Sequence, residues 1–273
     1  MTTLDGATVL VTGASGGFGR QMISQFLAAG SRLVLTDIDG AALEVVAREL
    51  HEAGGGSGEI RGVIAADLSA REGCEQLCRE VIDIAAPDVL VNNAGIGMSG
   101  RIDQIPWQQW ETLMQVNLMS VMRITGLLLP AMLERGSGHV VNISSIAGWV
   151  ATGGMSVYSA SKFGVRGFSD ALIRDLEDTS VRVTTVFPFF SRTPILDSIQ
   201  FGDEEPRKVP DDIVTDPADV VREILRGIRE DRPYVFPDPM ARRLHRLQRY
   251  FPRLVVWLGR RFEARLESAG NTV

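Results

Sequence analysis

The sequence predicts a single doubly wound α/β domain: a mostly parallel sheet of about seven strands, helices on both faces, and a C-terminal helical extension. Three observations predict it. Short β-branched or leucine-rich runs alternate with longer amphipathic segments along the chain. Runs such as Val9-Leu10-Val11 and Val140-Val141 are continuously apolar, as strands buried on both sides require. No repeat, low-complexity tract or linker divides residues 1–238. Repeated βα units of this kind imply right-handed crossovers that lay helices on both faces.

Taken in order, the strand candidates are 8–12, 32–37, 60–65, 89–92, 139–144, 181–187 and 234–236. Helical periodicity falls between them at 13–29, 40–53, 70–85, 107–134, 157–178 and 217–230, with turn signals such as Gly54-Gly55-Gly56 separating the units. The domain is placed at 1–238, with a lid at about 194–215 carrying Gly202, Pro206, Pro210 and clustered acids. Residues 239–273 form the extension.

Composition narrows the function classes. The 273 residues are 45% hydrophobic and 23% charged with a formal charge of -6 and a pI near 5.2, which excludes a whole-protein nucleic-acid footprint. That total is an average, because eight arginines against Glu263 and Glu267 give residues 239–273 a charge of +6 and leave −12 on the rest. Lysine is scarce: Lys162 and Lys208 are the only two. Cys74 and Cys78, four apart on a helix, suit neither a disulfide framework nor a four-ligand metal site, and read as packing residues in a reducing compartment; no metal is expected. The N-terminus lacks a basic n-region, and no window approaches the roughly 20 apolar residues that span a bilayer. Cytoplasm is the expected location.

The first strand runs into Thr12-Gly13-Ala14-Ser15-Gly16-Gly17-Phe18-Gly19 and then a helix. In that order Gly13 allows the turn, Gly17 lets backbone approach a pyrophosphate, Gly19 lets helix meet strand, and the helix N-terminus faces the phosphates. The second strand ends at Asp37, about 20 residues beyond the loop, where a carboxylate accepts from a ribose 2′-OH and repels a 2′-phosphate. NAD is therefore favoured over NADP. Capping of the next helix is the competing use of Asp37 or Asp39. Further along, Tyr158 and Lys162 stand at i and i+4, on one helix face, where an ammonium stabilises a phenolate and brings a poor base toward working range.

Together these residues resemble the short-chain dehydrogenase/reductase family, a Rossmann-type fold, from Leu4 to about Thr193. Thr12-Gly13-x-x-x-Gly17-x-Gly19 is similar to its cofactor loop, with Ser15 and Phe18 inside it. Asp67-Leu68 resembles its adenine-contacting acid, and Asn92-Asn93-Ala94-Gly95 its motif after the fourth strand. Asn117 is similar to its catalytic-helix asparagine; Ser145, thirteen residues before Tyr158, to its serine, with Ser144 the alternative. The resemblance implies that Tyr158 moves the hydroxyl proton, Ser145 binds the substrate oxygen, Lys162 binds ribose and lowers the Tyr158 pKa, and Asn117 holds a proton-relaying water. Pro188 matches the family pattern near nicotinamide and Thr193 its carboxamide-contacting threonine, whereas Phe189 replaces the usual glycine and adds bulk there.

Candidate pocket residues are Met98, Ile146, Trp149, Met155, Phe189, Phe190, Ile195 and Leu196, apolar and without a fixed charge, which suggests a hydrophobic secondary alcohol or ketone of steroid, retinoid or fatty-chain type. The alternatives are an NADP-linked carbonyl reductase and a non-catalytic cofactor-sensing protein on the same scaffold. A homodimer or homotetramer is expected, with no nucleic acid. The extension, with Leu244, Leu247, Tyr250, Phe251, Leu254, Val255, Trp257, Leu258 and Phe262 among its arginines, suits either an anionic membrane surface or docking on the acidic body or a second subunit.

Overall fold

A computed structural model describes residues 1–53, 56–202, 209–259 and 261. Its core is a seven-stranded parallel sheet built from β1 (Thr8–Thr12), β2 (Arg32–Asp37), β3 (Glu59–Ala65), β4 (Val89–Asn92), β6 (Gly138–Ile143), β7 (Val181–Val186) and β9 (Tyr234–Val235). The order is β3-β2-β1-β4-β6-β7-β9, so the chain winds outward in both directions from β1. The crevice where the winding reverses lies above the C-terminal ends of β1 and β4, the place where such sheets bind ligands. A second sheet absent from the sequence reading pairs two-residue strands, β5 (Met98–Ser99) with β8 (Ile199–Gln200), and thereby ties the segment after β7 to the loop after β4.

The helices are α1 (Gly17–Ala28), α2 (Gly40–Ala53), α3 (Arg71–Ile84), α4 (Trp107–Met114), α5 (Ser120–Arg135), α6 (Ser156–Asp175), α7 (Pro217–Arg229) and α8 (Pro239–Tyr250). One layer buries Met22 and Phe26 of α1, Leu43 of α2 and Ile224 of α7 against the sheet. The other layer buries Leu77 of α3, Ile124 and Leu128 of α5 and Leu172 of α6. Strands covered on both sides need no polar face, which is why β1 reads Thr-Val-Leu-Val-Thr and is buried throughout. Cys74 and Cys78 are free and buried in α3, and burial pushes the Cys78 thiol up to about 12, far from a reactive thiolate.

Two expectations need correction. The helix expected over 107–134 is interrupted by a π-turn at Gln115–Met119 that carries Asn117, because the Asn117 carboxamide turns inward to bond the backbone of Ile96 and the helix accommodates an extra residue there. The same run, 107–135, is 29 residues long and apolar enough by length and composition to cross a membrane, contrary to the reading that no window comes close. Here it is a core helix whose Leu113, Ile124, Leu128 and Met132 are buried in the fold.

Candidate active site

The glycine loop is held open by its neighbours rather than by its own sequence. Asn93 donates to the carbonyls of Thr12 (2.9 Å) and Gly13 (3.0 Å), and the backbone N–H groups of Asn93 and Ala94 both donate to Thr12 Oγ1. Gly13 has φ +64°, and a Cβ there would lie 2.7 Å from the Ala94 Cα. At Gly17 a Cβ would meet Thr193 at 2.5 Å, so Thr193 packs directly against the loop. No side chain caps the N-terminus of α1 and no acid sits in its first turn, which leaves its N–H groups for an anionic group.

Asp37 stands beside this terminus. Its Oδ2 accepts from the Ser15 N–H (2.9 Å) and the Ser15 hydroxyl (2.6 Å), and its Oδ1 from the Ile38 N–H (2.8 Å). The carboxylate is thus aimed into the crevice and not spent on capping α2, whose N-terminal Ala42 N–H donates to Asp39 instead. Asp67 is similarly ordered by Ser69, and Asp67, Leu68 and Gly95 line the same crevice. A dinucleotide fits this lining: uncapped N–H groups for phosphate, a cradle at Gly17 with no room for a Cβ, and a fixed acceptor at Asp37.

At the other end of the crevice, Tyr158 and Lys162 project from α6. Tyr158 is 9% exposed and Lys162 4%, with the Lys162 Nζ 5.7 Å from the centre of the Tyr158 ring. Nζ donates to the Ile143 carbonyl at 3.0 Å, and the Gly95 backbone leaves space beside both Nζ and Asn117 Oδ1. The phenol lies near Ser145, which pulls its pKa down, and Ser145 Oγ accepts from the Ala147 N–H at 3.1 Å. Ser144, the alternative, is buried and donates to the Lys162 carbonyl, so it supports α6 instead of facing the phenol.

Burial pushes the Tyr158 phenol up to about 12, with Ser145 pulling weakly the other way, and it pushes Lys162 down to about 8. Desolvation disfavours both charged forms, so the phenol lies above its ordinary value where pairing with Lys162 alone would place it below. Asn117 is buried, its Oδ1 accepting from the Ile96 N–H (2.8 Å) and its Nδ2 donating to the Ile96 carbonyl (2.9 Å) and to Ser161 (3.3 Å). The carboxamide thus bridges α6 and the loop after β4.

One cavity of about 1800 Å³ runs from Gly13 and Asp37 past Ser145, Tyr158 and Lys162 to the C-terminal extension. Met98, Ile146, Met155, Phe190, Ile195 and Leu196 line it as expected. Residues 194–202 and 209–215 supply part of the wall, while 203–208, with Lys208, lie outside the described residues. Trp149 also lines it but acts chiefly as a buttress: its ring meets Phe187 (5.3 Å), Phe236 (5.4 Å) and His245 of α8 (4.6 Å), with Arg166 stacked on it at 3.6 Å. Phe189 meets Phe190 edge-on at 4.7 Å, and its N–H donates to Asp238.

Three contributors escaped the sequence reading. Asp238 is buried, bonding the Phe189 N–H (2.9 Å) through Oδ2 and capping α8 at Ala241 (2.7 Å) through Oδ1, so it locks the loop after β7 to the extension. Asp before Pro ahead of a helical run is a capping signal that could have found it. Arg166, one turn beyond Lys162, and Arg249 bring fixed positive charge to the cavity wall, correcting the expectation of an uncharged pocket. Met240, Leu244 and Val255 make the extension part of that wall, which no local pattern announces.

Comparison with known proteins agrees with this geometry. A family model described as short chain dehydrogenase matches residues 7–203. Dehydrogenase/reductase SDR family member 7B of Mus musculus is 36% identical over 191 residues, covering 70% of this chain but 59% of that protein, so the chain spans less than two thirds of this relative's length. A short chain dehydrogenase/reductase from Burkholderia phymatum, solved in complex with NAD, superposes with a TM-score of 0.81 at 26% identity, covering 93% of this chain and 96% of that one. A short-chain dehydrogenase from Sphingobium yanoikuyae, solved with NADPH, gives 0.75 at 28% identity over 85% and 88%. With its strand order, glycine loop and residues 7–203 all in agreement, the chain belongs to the short-chain dehydrogenase/reductase family of NAD(P)-dependent oxidoreductases.

Proposed function

We propose that the protein moves a hydride between NAD(H) and a hydrophobic secondary alcohol or ketone, of steroid, retinoid or fatty-chain type, at a site formed by Ser145, Tyr158, Lys162 and Asn117. The observation that supports this reading is the convergence of Ser145, Tyr158 and Lys162 on one largely apolar cavity that also contains the glycine loop and Asp37. Gly13 makes the turn, the backbone at Gly17 meets the pyrophosphate and Gly19 lets α1 pack on the loop, while Asp37 takes the adenosine ribose and Asp67, Leu68, Asn93, Ala94, Gly95, Pro188 and Thr193 complete the cofactor side. NAD(H), when bound, supplies or accepts the hydride.

The chain's own residues handle the proton. In the oxidative direction Tyr158 Oη takes the hydroxyl proton, and in the reductive direction it returns one to the forming alcohol. Ser145 Oγ, fixed by the Ala147 N–H, donates to the substrate oxygen where negative charge develops. Lys162, protonated near neutral pH, stabilises the phenolate as it forms across the buried interval between them. Asn117 holds Ile96 and Ser161 in register and so fixes α6 against the cofactor side of the crevice.

Initial rates of cofactor reduction across steroid, retinoid and aliphatic alcohols, with NAD and NADP in parallel, test the proposal. Turnover with NAD is expected. Preference for NADP would defeat the use made of Asp37, and tight cofactor binding without turnover of any alcohol or ketone would favour a cofactor-sensing protein.

A further inference from the structure

The mouth of the cavity is built from the extension. Arg249 of α8 and Val255, Val256, Leu258 and Gly259 of the helical segment 252–259 line it. Of these Val255 is buried, so this segment is docked on the body by its inner face. Its outer face is unlike a soluble helix surface: Tyr250 is 68% exposed, Phe251 61%, Val256 59% and Trp257 49%, with Leu254 and Leu258 also exposed. Val256 and Leu258 belong both to this outer patch and to the cavity lining, so one apolar surface continues from outside into the site.

Charge surrounds the patch with one sign. From Pro239 to Arg261 there is no Asp or Glu. Arg249 approaches the Tyr250 ring at 5.9 Å and Arg261 the Trp257 ring at 4.3 Å, and among the described residues Arg243, Arg246, Arg249, Arg253 and Arg261 form no ion pair. Residues 1–238 carry −12, so an anionic surface repels the body and attracts this face. A second copy docked here would oppose two arginine collars, which like-charge repulsion disfavours. Exposed tryptophan, tyrosine and leucine ringed by arginine is the composition that partitions into the headgroup region of an anionic bilayer.

We propose that residues 250–259 form a collar that docks the protein on anionic lipid and passes a bilayer-dissolved substrate through the Val256 and Leu258 surface into the cavity. The substrate class rests on the alcohol or ketone reading above, whereas docking is read without turnover, so the two can fail separately.

The test is sedimentation of the full chain with phosphatidylcholine vesicles, with and without phosphatidylglycerol, at low and high salt. The comparison uses a Phe251→Asp/Trp257→Asp variant, both positions being exposed and thermal melts confirming the fold. Expected are binding to anionic vesicles at least roughly tenfold above pure phosphatidylcholine, weakened by salt, and loss of roughly tenfold or more in the variant. A Trp257→Phe variant should lose the quenching of tryptophan emission by brominated lipid. Absence of binding, equal binding by parent and variant, or conversion of a dimer to a monomer by the variant would overturn the proposal.

Discussion

Replacing Tyr158 by Phe removes one oxygen from a side chain otherwise packed among Met98, Leu113, Ala147 and Val157, so the perturbation is chemical and not steric. Ser145 loses at most one hydrogen bond and keeps the Ala147 N–H at 3.1 Å. A hydrogen bond of this kind contributes about 0.5–1.5 kcal/mol, and for a chain of this size about 1 kcal/mol corresponds to roughly 2–4 °C in Tm. Loss of a positioned general acid/base costs about 10²–10⁴ in rate, or roughly 3–5 kcal/mol in the barrier. Stability should barely move while kcat falls by two to four decades. Initial rates with the best alcohol substrate and a thermal melt on the same preparation measure both. Because burial pushes the phenol up to about 12, the base form is scarce at neutral pH and the parent's oxidation rate should climb with pH, a limb absent from the variant. A variant within about threefold of the parent, or one with the same pH slope, would refute the assignment of Tyr158 as the proton carrier.

Lys162→Met should abolish turnover yet raise stability near neutral pH, because the folded-state pKa of about 8 lies below the ordinary 10.5 and the protonated form carries a burial penalty of about 3 kcal/mol, partly offset by the bond to Ile143. The unfolded chain binds the extra proton between about pH 8 and 10.5, so parent stability rises across that window and the gap to the variant narrows, which denaturant titration at two pH values checks. Asp37→Asn keeps an acceptor for Ser15 but loses the charge, and NAD should bind about 10- to 100-fold more weakly by fluorescence titration while NADP improves relative to it. Gly17→Ala drives a methyl to 2.6 Å from the Thr193 Cβ and 3.1 Å from its Cα, so the Thr193 backbone must shift and cofactor affinity should fall, and Gly19→Ala drives a methyl to 2.3 Å from the Gly13 carbonyl and should lower Tm as well. Asp238→Ala removes the α8 cap and leaves the Phe189 N–H unpaired, a loss of about 2–4 kcal/mol in urea unfolding, with Asp238→Asn retaining part of it.

Much of the molecule is legible in order along the chain. Alternation of apolar runs located all seven strands of the main sheet to within a residue or two, since a strand covered on both faces must be apolar throughout and leaves little freedom of placement. The glycine loop, Asp37, Tyr158 and Lys162 stand out through local spacing, a loop before a helix, an acid at a strand end, a phenol and an ammonium one turn apart, whereas Ser145 is singled out only by the family resemblance. The β5–β8 pairing was not legible, because two-residue strands 101 residues apart carry no periodicity.

What the sequence by itself determined, then, is the sheet, the glycine loop and the Tyr158–Lys162 pair on one helix face, all set by short-range patterns. Only the tertiary structure decided their states and surroundings. Burial, a property of the whole fold, sets Tyr158 high and Lys162 low where pairing alone suggested a lowered phenol. A buried carboxylate at Asp238 joins the loop after β7 to α8, and Trp149 becomes a buttress between α6, β9 and the extension. The arginine-rich tail of the sequence becomes a wall of the active-site cavity through packing between residues far apart in the chain, a relation that no window of sequence contains.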